Sequence, residues 1–102
     1  MEQKIIALPR LNGLTPTLES TALKLMEEAG ELAQAIGKFR GLSGEQGLSE
    51  EEVARLITKE LLDVAQTAVS MMFVLEEMYG VDIEKALKEH IDKLIKKGYL
   101  KR

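Results

Sequence analysis

Between Ser49 and Tyr79 the chain keeps helical spacing with no proline or glycine, and Leu61, Leu62, Val64, Ala65, Ala68, Val69, Met71, Met72, Phe73 and Leu75 cover more than half of the helix circumference. A helix lying on a protein surface carries a narrower apolar stripe, so this one is expected to be buried on two sides. Unbroken it would run about 45 Å, and that length suggests a break or bend near Arg55 to Glu60. A membrane span is excluded, because Asp63, Gln66, Thr67 and Ser70 interrupt an apolar run already shorter than the roughly 20 residues required. Few other helices fit in the remaining sequence. The surplus apolar surface therefore predicts a homo-oligomer, a homodimer or a homotetramer.

The other elements follow from local chemistry. MEQKIIALPRLNGL is short, mixed and broken by Pro9 and Gly13, and reads as an arm over residues 1–14 that packs on a neighbour through Ile5, Ile6 and Leu8. Thr15 before Pro16 predicts a helix start, with the hydroxyl as cap and proline at the first helical position. Leu18, Ala22, Leu25, Met26, Ala29, Leu32, Ala33 and Ile36 then form one apolar stripe. Gly37, Gly41, Gly44 and Gly47 predict the end of that helix and a mobile loop after it. Ser49 with Glu52 matches a capping box for the long helix, and Gly80 ends it. Asp82 caps a last helix running to about Lys97, where Lys96 and Lys97 suit the negative end of the helix dipole and Gly98 suits the stop.

These elements give one domain over residues 15–102 and an all-α fold, a helical bundle of three to four helices completed by homo-oligomerisation. Composition agrees: 45% of the residues are apolar, but the aromatics are only Phe39, Phe73, Tyr79 and Tyr99, so the interior is aliphatic. With no cysteine and one histidine, disulfide scaffolds, thiolate or histidine-rich zinc sites and triad catalysis are excluded. A net charge of −3 argues against a nucleic-acid partner. The average hides an asymmetry: residues 83–102 carry +4 and the first 82 carry −7. MEQKIIALPR shows no signal pattern, which makes the cytoplasm the expected location.

Two acidic pairs stand inside the apolar helical sequence. Glu28 and Glu31 lie three apart in EEAGELAQAI, and Glu60 and Asp63 lie three apart in KELLDVAQTAV. That spacing puts each pair on one helix face. If the helices run antiparallel, the four carboxylates can meet as a patch of hard oxygen ligands suited to about two Mg²⁺ ions, with Mn²⁺ as a substitute. Like charges at this spacing repel, and these flank apolar arcs, unlike Glu50, Glu51, Glu52, Glu76 and Glu77, which read as solvated. Spacing alone leaves a metal site and a solvated face both open. A ferritin-like di-iron site fits poorly, since it needs Glu-x-x-His on two helices and Leu87 stands three before the single His90. His90 itself reads as a surface polar residue.

Glu27-Glu28-x-x-Glu31, a gap of 28 residues, then Glu60-x-x-Asp63 resembles the signature of the MazG-like all-α nucleoside triphosphate pyrophosphohydrolases. The resemblance extends from EEAGEL through the glycine-rich connection and ELLDVAQ to the lysine-rich final helix. It implies Mg²⁺-dependent attack of water on the α-phosphate of a nucleoside triphosphate, giving the monophosphate and pyrophosphate in nucleotide-pool housekeeping. Carried onto this chain, Glu28, Glu31, Glu60 and Asp63 are the metal ligands, and Glu27 is an auxiliary ligand or holds or deprotonates the water. Lys93 and Lys97 stand where relatives place phosphate contacts, although His90 and Lys97 depart from the asparagine and arginine often found there. Phe39 or Tyr99 could stack on a base, but Phe39 fits equally well as the close of the first apolar stripe. The alternative function is a noncatalytic helical module that binds nucleotide or protein through the long helix.

Overall fold

The computed structural model describes residues 1–39 and 49–101, and it is all-helical: α1 spans Leu18–Phe39, α2 spans Glu50–Tyr79 and α3 spans Ile83–Lys96. The glycines at 41, 44 and 47, and the loop expected there, lie outside the described residues. α1 and α2 pack along each other as a hairpin, whereas α3 has no comparable packing against either.

Helix ends follow the capping chemistry, with one shift in position. α1 is capped by Thr17, not Thr15: the Thr17 hydroxyl accepts from the Ser20 backbone N–H at 3.0 Å and the Ser20 hydroxyl accepts from the Thr17 N–H at 2.8 Å. This reciprocal pair satisfies two donors at once, and Pro16 is left just before the cap. α1 also runs past Gly37 to Phe39, because one glycine inside a helix costs only about 1 kcal/mol. Ser49 caps α2 as the sequence predicts, its hydroxyl accepting from the Glu52 N–H at 3.1 Å. α2 is a single helix of 30 residues, so the break expected near Arg55 to Glu60 does not occur. Nothing in that segment, neither glycine nor proline, would interrupt the hydrogen-bond ladder.

Gly80, at φ 64°, closes α2 in the left-handed region. Asp82 caps α3 by accepting from the Lys85 N–H at 3.0 Å. At the far end Gly98, at φ 84°, lets its own N–H reach Ile95 O and the Tyr99 N–H reach Leu94 O, both at 3.0 Å. That pair of bonds consumes carbonyls the last turn would otherwise leave unpaired.

The arm is anchored by polar contacts that hydrophobic pattern does not reveal. Ile5 and Ile6 are exposed and only Leu8 is half-buried, so within one chain the expected apolar anchor is not made. Instead Gln66 Nε2 donates to the Pro9 carbonyl at 2.8 Å, the Arg10 guanidinium lies 4.3 Å above the Phe73 ring, and Arg10 pairs with Glu77. A cation over an aromatic face is worth about 0.5–1 kcal/mol at an exposed site, and it adds to the Gln66 hydrogen bond and the Arg10–Glu77 pair in placing the arm against α2.

The core is thin. Among the described residues only Ala35, Val53 and Val74 are fully buried apolar side chains. The radius of gyration is 16.8 Å, against about 13 Å for a compact chain of this length. No helix among the described residues is long and apolar enough to cross a membrane.

Candidate metal centre

The seam between α1 and α2 has a seven-residue period. On α1 the buried positions are Thr21, Glu28 and Ala35, and on α2 Val53, Thr67 and Val74 are buried with Glu60 half-buried between them. Positions seven apart stay on one side of a helix, as in the contact line of a coiled coil. Two of the seam positions therefore hold carboxylates where packing alone would select an aliphatic side chain.

The apolar stripe of α1 is consequently not centred on α2. Leu18, Leu25 and Leu32 are half-buried beside the seam, but Met26, Ala29, Ala33 and Ile36, on the far side of the stripe, are exposed. Glu28, expected to flank the stripe, is inside the seam, and Glu27 is exposed to solvent.

Polar groups in the seam divide into two kinds. Thr21 and Thr67 satisfy their own hydroxyls, donating to Thr17 O at 2.8 Å and to Asp63 O at 2.9 Å in the preceding turn. The acids do not: Glu28 Oε2 and Glu60 Oε2 are both buried with no hydrogen-bond partner. One carboxylate oxygen from each of Glu28, Glu60 and Asp63 lies within 4.8 Å of the others. Buried anions without partners cost several kcal/mol unless a cation or a proton compensates them. An all-oxygen donor set of this kind fits a hard divalent cation and fits soft metals poorly. The residues present thus pass the chemical test for such an ion.

Glu31 is exposed and stands outside the closest trio, but it feels the same charge. Its carboxyl is held above the usual glutamate range, first by the charge of Glu28, then by desolvation and a hydrogen bond to Glu28, with smaller contributions from Glu60 and Glu27. Below the ordinary glutamate range Glu31 is protonated both folded and unfolded, and no penalty arises. As pH rises through the elevated folded value, the ionised group faces Glu28 and the folded state loses stability. Unfolding by denaturant in EDTA, at pH values from the ordinary glutamate range to neutrality, is expected to show this loss in the wild type. Glu31→Gln should flatten it, and equal slopes would show that Glu31 does not sense the cluster.

Lys24, which the apolar and acidic patterns do not single out, pairs with two of the motif acids. Its Nζ lies 3.0 Å from Glu28 Oε1 and 3.6 Å from Glu27 Oε1, and its pKa is raised first by the hydrogen bond it donates to Glu28, then by the charge of Glu27. The signal was available as a lysine and glutamate four apart on one helix. Lys24 also lines a cavity of about 720 Å³ between the arm and the hairpin, together with Arg10, Leu14, Thr67 and Phe73.

The remaining candidates are not gathered here. Lys93, on α3, and Lys97, at the C-cap of that helix, line a separate hollow with Glu89, Asp92 and Lys96. His90 and Tyr99 are exposed, and Phe39 lies at the end of α1.

A family model described as the MazG nucleotide pyrophosphohydrolase domain matches residues 16–98. The uncharacterized protein YvdC of Bacillus subtilis (strain 168) is 38% identical over 74 residues, which is 72% of this chain and 68% of that protein. No solved structure matches the chain.

Proposed function

The chain belongs to the MazG nucleotide pyrophosphohydrolase family, and from that premise we propose that it is a divalent-cation-dependent hydrolase that converts a nucleoside triphosphate and water into the monophosphate and pyrophosphate. The observation that carries this reading is the pair of buried, unpartnered oxygens on Glu28 and Glu60 beside Asp63.

Glu28, Glu60 and Asp63, joined by Glu31 at the rim, are assigned as ligands of Mg²⁺, with Mn²⁺ as a substitute. When bound, such ions neutralise polyphosphate charge and lower the pKa of a coordinated water. The chain's own contribution is preorganisation. All four carboxylates stand on the two packed helices, so little reorientation is needed when charge develops at the phosphate. Glu27 is exposed next to Glu28, where it can hold the attacking water and accept its proton. Lys93 and Lys97 are assigned to substrate phosphate oxygens, reached across an assembly, since within one chain they line a hollow of their own.

The proposed assembly is a homodimer or homotetramer, and the thin core and the exposed apolar sides of α1 and α2 favour it. Incubation of the purified protein with Mg²⁺ and a panel of normal and modified ribo- and deoxyribonucleoside triphosphates is expected to release pyrophosphate and the monophosphate in equal amounts. Release of orthophosphate, or silence across the panel, would refute the assignment.

A further inference from the structure

The geometry points to Lys24 as a built-in counter-ion of the acidic cluster, one that a divalent ion displaces and that then turns to the polyphosphate of the substrate. This deepens the hydrolase reading and rests on it for the second half only.

Glu28 is the most enclosed of the motif acids, its side chain 8% exposed, and its two oxygens have different fates. Oε1 accepts from Lys24, whereas Oε2 is buried with no partner. Lys24 thus supplies positive charge to the cluster through Glu28. It sits on the outer side, 54% exposed, on a flexible four-carbon stem. A divalent ion bound by Glu28, Glu60 and Asp63 would stand close to that ammonium, and the two cations repel. Lysine and ion therefore compete for Glu28.

The displaced ammonium has somewhere to go. Lys24 also borders the cavity beneath the arm, so the group that leaves Glu28 stays at the mouth of a space open to a ligand. A polyphosphate brought by the ions is the anion best placed to receive it. In this arrangement Lys24 opposes binding of the ion alone and favours binding of ion and triphosphate together.

Calorimetric titration of the full chain with Mn²⁺ alone separates the two halves. Lys24→Met is expected to bind the ion about tenfold more tightly than wild type, as a nearby unit charge is removed, and Lys24→Arg is expected to stay close to wild type. With the ion saturating, affinity for α,β-imido analogues of the normal deoxynucleoside triphosphates should fall about tenfold in Lys24→Met. Unchanged or weaker ion binding by that variant, with helical circular dichroism intact, would overturn the counter-ion role. Unchanged analogue affinity would overturn the transfer to phosphate. The ion titration needs no turnover, so a tighter Lys24→Met upholds the counter-ion role even if wild type releases no pyrophosphate, a result that would count against the hydrolase reading instead.

Discussion

Glu60→Gln is expected to make the ion-free protein more stable and to suppress the proposed pyrophosphate release. Glu60 occupies a seam position between Val53 and Thr67, and its Oε2 is buried without a partner. An uncharged amide there removes a buried anion, ends its repulsion with Glu28 and Asp63, and can donate a hydrogen bond to either. The gain should be about 1–2 kcal/mol in EDTA, measured by denaturant unfolding. Activity should fall about a thousandfold, because losing a ligand forfeits several kcal/mol of charge stabilisation at the reacting phosphate.

The divalent response should separate the two proteins as well. An ion at a hundred times its Kd stabilises the wild type by about 2.7 kcal/mol, a rise in Tm on the order of 10 °C for a domain of this size. The variant should show little of this rise. Glu28→Gln is expected to gain less in EDTA than Glu60→Gln, since it also breaks the ion pair with Lys24. A Glu60→Gln protein that is less stable without ions, yet still releases pyrophosphate, would show that the carboxylate is there for structure.

This opposition between stability and function explains what the sequence made legible. Helix ends were readable because capping is local: Ser49, Gly80, Asp82 and Gly98 each act within a few residues of themselves. The acids were readable because charges three apart in apolar helices conflict with folding economy. The direction in which α1 faces was not readable from its apolar stripe. That stripe, with Met26, Ala33 and Ile36 at its outer edge, reports the sum of all apolar surroundings and cannot separate the hairpin partner from other surfaces. The seam itself was hidden, since Thr21, Glu28, Glu60 and Thr67 break the apolar heptad that would have disclosed it. Anchoring of the arm was equally hidden. A backbone carbonyl at Pro9 and a guanidinium over Phe73 leave no periodic trace.

Met72→Lys tests what the outward apolar surface is for. Met72 is 41% exposed on α2, and it stands well over two turns beyond Glu60 and Asp63, so a change there leaves the acidic cluster in place. If the single chain were the finished protein, an exposed methionine replaced by lysine would alter stability by no more than about 0.5 kcal/mol. If that surface is covered by another copy, the same substitution buries an ammonium without a partner. The expected cost is then 3 kcal/mol or more of association, over a hundredfold in Kd. Light scattering should give a dimer or tetramer mass for the wild type and a monomer mass for the variant at micromolar concentration. Its Tm should fall and lose the dependence on protein concentration that an associating wild type shows. Pyrophosphate release should fall along with assembly if Lys93 and Lys97 reach the phosphates from another copy, and raising the protein concentration should restore part of it. A wild type that scatters as a monomer, or a variant that assembles normally, would leave α2's outer face unexplained by self-association.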